Sequence, residues 1–216
     1  MISFFVDFIL HLDVHLGELI SNYGAVTYAI LFAIIFVETG LVFFPFLPGD
    51  SLLFVAGAFA AQGSLNVFAL LALLAVAAIL GDTCNYWIGH FLGEKITSNP
   101  RLPVKKKHLE RTHRFFERHG GKTIVLARFV PVIRTFAPFV AGAGRMHYGR
   151  FLFYNVTGGI LWVAAGTVAG YFFGSIPIIK NNFTFFIIGI IVVSFIPVLI
   201  SAWRSRRSAV QTDKGI

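Results

Sequence analysis

The chain has 216 residues, of which 56% are hydrophobic and 13% charged, with a mean hydropathy of +0.78; a soluble domain is about 25% charged and roughly 45–50% apolar. This composition excludes a soluble enzyme, a disordered tail and a nucleic-acid-binding module. The net charge of +8 is unevenly divided: residues 1–94 carry seven acids and no Lys or Arg, and residues 95–216 carry all eighteen basic residues against three acids.

A helix crossing the hydrocarbon core takes about 20 apolar residues, so the length accommodates roughly four to six membrane elements. A single membrane domain over residues 1–216 is expected. The first twenty residues lack the positive n-region of a secretory signal, so the chain is expected to keep Met1 as its start. Residues 1–22 place Phe5, Ile9, Leu12, Leu16 and Leu19 on one helical face and Asp7, His11, His15 and Glu18 on the other, the pattern of a helix lying in the membrane interface. In residues 24–61 the apolar run carries Glu38, is interrupted by Pro45, Pro48 and Gly49, and resumes after Asp50. This predicts a first re-entrant or broken helical segment. Residues 65–93 form a continuous transmembrane stretch with one acid, Asp82. The lone cysteine, Cys84, falls in the same stretch and is expected to pack there.

Residues 94–122 hold nine Lys or Arg, three acids and three histidines. The positive-inside rule makes this loop cytoplasmic, with Leu109 and Phe116 able to seat it on the membrane. His108, His113 and His119 do not align on one helix face, so no metal site is expected. Residues 123–146 are a second interrupted segment, with Arg128, Arg134, Pro131 and Pro138. The prolines are expected to break the helix, freeing backbone groups to line a cavity. Arg145 and Arg150 should snorkel to the interface. Residues 151–175 and 183–203 are further spans, and the basic tail 204–216 is cytoplasmic. If 123–146 enters and returns on one side, the basic loop and the tail share that side.

An internal repeat organises these elements. Phe54-Val55-Ala56-Gly57-Ala58 recurs as Phe139-Val140-Ala141-Gly142-Ala143, and Gly89-His90-Phe91-Leu92-Gly93 is echoed by Gly170-Tyr171-Phe172-Phe173-Gly174. With a cytoplasmic loop between the copies, their spans run in opposite directions. The predicted architecture is an all-α, polytopic integral membrane protein with two Pro-broken re-entrant segments in inverted repeats, an arrangement associated with secondary transporters.

Four charges fall in the broken segments: Glu38 and Asp50 in the first, Arg128 and Arg134 in the second. Each unpaired charge at a helix centre costs ~2.5–3.5 kcal/mol, so four would cost on the order of 10 kcal/mol. They must pair, face water or hold a ligand. Arginine keeps its proton and presents a planar fork suited to phosphate oxygens, whereas carboxyl groups in a low-dielectric cavity can exchange protons. Structural ion pairing is the alternative. Asp82 and Tyr86, four residues apart on one face, form a possible accessory pair in which the tyrosine steadies the acid.

The runs Glu38-Thr39-Gly40, Phe46-Leu47-Pro48-Gly49-Asp50-Ser51, Gly81-Asp82 through Tyr86 to Gly89, and Arg128-Phe129-Val130-Pro131-Val132-Ile133-Arg134-Thr135-Phe136-Ala137-Pro138 resemble the DedA family of bacterial inner-membrane proteins over nearly the whole chain. The resemblance implies two re-entrant helices in inverted repeats, as in eukaryotic lipid scramblases of the same superfamily. It also implies proton-dependent return of undecaprenyl phosphate across the inner membrane. Glu38 and Asp50 would serve proton coupling, and Arg128 and Arg134 would bind the lipid phosphate. The expected partners are undecaprenyl phosphate or another anionic lipid, protons and membrane lipids; no cofactor, metal or nucleic acid is expected. Competing readings are a membrane-homeostasis protein acting indirectly on envelope integrity and cell division, a proton or ion transporter, and a lipid phosphatase. The sequence holds no Ser-His-Asp arrangement and no HExxH spacing to support the phosphatase.

Overall fold

The computed structural model describes residues 12–41, 49–98, 121–174 and 176. The start of the interfacial helix, the Pro45–Pro48 break, most of the basic loop with its three histidines, the span 183–203 and the tail lie outside the described residues. Seven helices are described: α1 (Leu12–Tyr23), α2 (Val26–Gly40), α3 (Gly49–Ala61), α4 (Val67–Ser98), α5 (Lys122–Ala127), α6 (Pro131–Ala143) and α7 (Tyr148–Gly174). Among the described residues there is no strand.

Local chemistry sets the boundaries. Gly24, at φ +51°, closes α1, and its N–H bonds the Ile20 carbonyl at 3.0 Å, the left-handed cap that glycine adopts without penalty. Asn66 starts α4: its Oδ1 accepts from the N–H groups of Phe68 and Ala69, both at 3.0 Å, satisfying two donors that a helix start leaves without partners. Val130 is extended and Pro131 opens α6, because the residue before proline is driven out of the helical region and proline fits the first turn. Pro138, by contrast, does not break its segment. It is buried within α6, which runs on to Ala143. A proline inside a helix removes one bond and leaves the carbonyl four residues back, here that of Arg134, without its helical donor.

Only residues 67–92 of α4 and the whole of α7, among the described residues, are long and apolar enough to cross a membrane. Helices α2 and α3 have 15 and 13 residues. At about 1.5 Å per residue they measure roughly 20 Å each, short of the ~30 Å hydrocarbon thickness.

Phe68, Val76, Leu80, Phe91, Phe153, Ile160 and Phe172 are exposed on α4 and α7, while Glu38, Asp82, Arg128 and Arg134 are buried. Charged residues are almost never fully buried unless paired, and each of these four has an ion-pair partner. Cys84, expected to pack inside, lies on the exposed side of α4. The inward face of that helix is set by Ala78, Gly81, Asp82, Asn85, Tyr86 and Gly89, and Cys84 is two residues out of step with it. Arg145 and Arg150 are exposed.

The two copies of the repeated sequence pack in matching ways. Helix α3 lies along α7, and α6 lies along α4. Gly57 of α3 meets the Thr167 carbonyl and the Tyr171 amide of α7; Gly142 of α6 meets the Tyr86 carbonyl and the His90 amide of α4. In the reverse direction Gly170 of α7 meets the Phe54 carbonyl and Gly89 of α4 meets the Phe139 carbonyl. At each of these four positions a Cβ would collide with backbone. Small residues of this kind let membrane helices approach to backbone contact. The apolar core accordingly has two parts, one among α2, α3, α4 and α7 around Leu31, Leu53, Leu74 and Val163, the other around Tyr86, Ile124, Ala141 and Phe151.

Candidate functional site

Helices α2 and α3 meet end to start at a carboxylate. Glu38 stands three residues from the end of α2, where the helix dipole disfavours negative charge, but its side chain reaches the first residue of α3. There the Gly49 N–H donates to Oε1 at 3.2 Å, at the helix end that favours an anion. The carboxyl group occupies the space a Cβ at Gly49 would need. Glu38 is fully buried.

Arg134, on the first turns of α6, joins the two acids of the first broken segment. Its Nη2 donates to Glu38 Oε1 and its Nη1 to Asp50 Oδ1 at 2.9 Å. The arginine is 7% exposed, whereas the Asp50 side chain is 31% exposed. Trp162, near the middle of α7, completes the group. Its Nε1–H donates to the same Asp50 Oδ1 at 2.7 Å, and its ring lies 4.8 Å from Arg134 Cζ, within cation–π range. Four helices thus contribute one residue each.

Arg128 does not join that group. Its Nη2 donates to Asp82 Oδ2 of α4 and to Asn155 Oδ1 of α7. Asn155 Nδ2 in turn donates to the Ile79 carbonyl at 3.0 Å and to Thr83 Oγ1 at 3.3 Å. Both ends of the Arg128–Asp82 ion pair are about 95% buried. The four charges of the broken segments therefore divide: one arginine takes both acids, and the other takes the acid of the neighbouring span. Asp82 does not pair with Tyr86, whose hydroxyl donates to the Met146 carbonyl while its ring stacks on Phe151. A side chain four residues along the helix is reachable, but a guanidinium is a better partner than a phenol for a buried carboxylate.

Asn85 ties the halves together one turn along α4. Its Nδ2 donates to the carbonyls of Thr39, at 3.2 Å, and Thr135, at 2.7 Å. These residues follow Glu38 and Arg134 directly in the chain. Sequence reasoning passed over Asn85, Asn155 and Trp162, because neutral residues do not stand out as charges do. The available signal was a lone amide in an otherwise apolar span, since membrane-embedded polar groups face the protein interior.

Residues 47–172 match the VTT domain family, a stretch that includes Asp50, Asp82, Arg128, Arg134 and Trp162. Protein DedA of Escherichia coli K12 is 56% identical over 99% of both chains. The chain belongs to the DedA family. Other relatives of this DedA-family chain are an uncharacterized membrane protein of Mycobacterium leprae, 46% identical over 84% of this chain and 82% of its own, and the E. coli inner membrane protein YghB, 38% identical over 73% of each. No solved structure matches significantly. The DedA-family chain is thus a membrane protein with transmembrane helices.

Proposed function

We propose that the protein is a proton-coupled transporter that moves undecaprenyl phosphate, or a related anionic lipid, across the bacterial inner membrane. The observation that carries the reading is Arg134 held between Glu38 and Asp50, with Asp50 partly exposed. A guanidinium fork matches phosphate oxygens as well as it matches carboxylates, so a lipid phosphate and the two acids compete for one cation. With every group ionised the cluster carries one negative charge in excess, and an entering phosphate adds more in a medium where like charges repel strongly. A proton taken up by either carboxyl relieves that repulsion and releases the arginine. Phosphate and proton then occupy the site together and leave it together.

In this reading α2–α3 and α5–α6 are re-entrant pairs, α4 and α7 cross in opposite directions, and the halves form an inverted repeat with the basic loop and tail in the cytoplasm. The reciprocal glycine contacts support this symmetry, and short helices facing a polar interior are tolerated at membrane depth. The closed Arg128–Asp82–Asn155 network favours a supporting role for Arg128, holding the second broken segment against α4 and α7. This differs from a share for Arg128 in binding phosphate.

The test is purified protein in liposomes with a leaflet-specific probe of undecaprenyl phosphate, with and without an imposed pH gradient. Gradient-dependent movement is expected for the unaltered chain, with none for Arg134→Ala or Glu38→Ala inserted at equal density. Movement by either variant at the unaltered rate refutes the site. Absence of any lipid movement by the unaltered chain refutes transport and favours an indirect effect on membrane homeostasis. A proton flux that needs no lipid phosphate assigns the acids to ion transport.

A further inference from the structure

We propose that Trp162 is the positioning residue that keeps Asp50 in place through both of its protonation states, so that proton and anion exchange on Arg134 without the acid leaving the site. The proposal rests on the functional reading above. Two donors converge on one oxygen: Trp162 Nε1–H at 2.7 Å and Arg134 Nη1 at 2.9 Å, both to Asp50 Oδ1. They respond differently to a proton. Neutralising the carboxylate removes the ion–ion attraction that holds the guanidinium to it, leaving a bond assisted by the arginine's charge alone. The indole bond has a neutral donor, and an indole N–H can only donate. A proton placed on Oδ2 leaves Oδ1 a carbonyl oxygen, which still accepts the indole N–H, now as an ordinary neutral hydrogen bond. The acid stays against Trp162 while Nη1 of Arg134 turns to a phosphate oxygen.

The indole also faces the arginine. Its ring lies 4.8 Å from Arg134 Cζ, within cation–π range, beside the fork whose two terminal nitrogens hold Glu38 and Asp50. Trp162 is itself buried and reaches the site from α7, a helix that supplies neither acid nor arginine to it. The charged groups facing Asp50 among the described residues are Arg134 from α6 and, through that arginine, Glu38 from α2; Trp162 from α7 does not titrate.

Trp162→Phe keeps an aromatic ring in place and removes the N–H donor together with the second ring of the indole, so the pH profile and not the rate alone reads the lost hydrogen bond. The expected result in the liposome assay is roughly tenfold slower maximal lipid movement, on the order of one hydrogen bond to a charged group, together with an altered pH profile. A rate unchanged, or reduced by the same factor at every pH with the profile intact, overturns the proposal. If the unaltered chain moves no lipid, the transport reading fails, and the second measurement judges Trp162 alone. In a Trp87→Phe, Trp203→Phe background, Trp162 is the sole tryptophan, and ultraviolet resonance Raman reports whether its N–H is hydrogen-bonded. The bond should persist from neutral to acid pH and disappear in Asp50→Leu. Loss on acidification, or persistence in Asp50→Leu, overturns the proposal.

Discussion

Arg128→Leu and Asp82→Leu, made singly and together, test whether the second arginine is a structural partner of α4. The pair is about 95% buried on both sides, so removing one member strands the other in a low-dielectric interior. Each stranded charge costs ~2.5–3.5 kcal/mol at membrane depth. The double variant strands neither and gives up mainly the bonding of Asn155, about 1 kcal/mol. The coupling in the cycle should therefore be about −5 kcal/mol, well beyond the ~0.5 kcal/mol within which independent sites add. The assay is reversible unfolding of purified protein in mixed micelles with rising detergent denaturant. The single variants differ in pH dependence: in Arg128→Leu the stranded carboxyl can shed its charge by binding a proton, but in Asp82→Leu the guanidinium cannot lose one. Acidification should restore stability to the first and not to the second. Additive single effects, or a double variant no more stable than either single one, would refute the reasoning. A double variant that folds and still moves lipid removes Arg128 from any direct role with phosphate.

Gly49→Ala places a methyl group where the Glu38 carboxyl lies; it should cost about 1–3 kcal/mol by overpacking and abolish lipid movement, checked by melting and the liposome assay. Asn85→Leu removes the buried donor that ties the Thr39 and Thr135 carbonyls to α4, at about 1 kcal/mol for each hydrogen bond lost; Asn85→Asp, which swaps the donor for an acceptor, should destabilise at least as much in the same micelle titration. Gly57→Leu and Gly142→Leu each drive a side chain into the facing backbone. The two should lose stability by similar amounts, and a loss at only one of them would break the equivalence of the halves.

Much of this arrangement was legible in the chain. Glu38, Asp50 and Arg134 stood out because a charge in an apolar run must find a partner, and the structure brings those three together. The repeated pentapeptide marked an internal repeat, and its glycines are positions where backbones touch. The partner of Arg128 was not legible, since it lies 46 residues away on another helix and nothing local distinguishes Asp82 from Asp50 as a counter-ion. The reading of Pro138 as a breaker failed because α6 keeps its other helical bonds and packs tightly on α4. The outward direction of Cys84 could have been found by carrying the three-and-four spacing of Asp82, Asn85, Tyr86 and Gly89 one step further.

The exchange of partners between the halves bears on how the chain is made. Glu38 and Asp50 leave the ribosome long before Arg134 and Trp162, and α3 lacks the helix it packs along most extensively until α7 has been synthesised. Until Arg134 is made, the two acids lack their counter-ion, and each must stay near water or bind a proton. Each half is the other's template, and neither can be finished first.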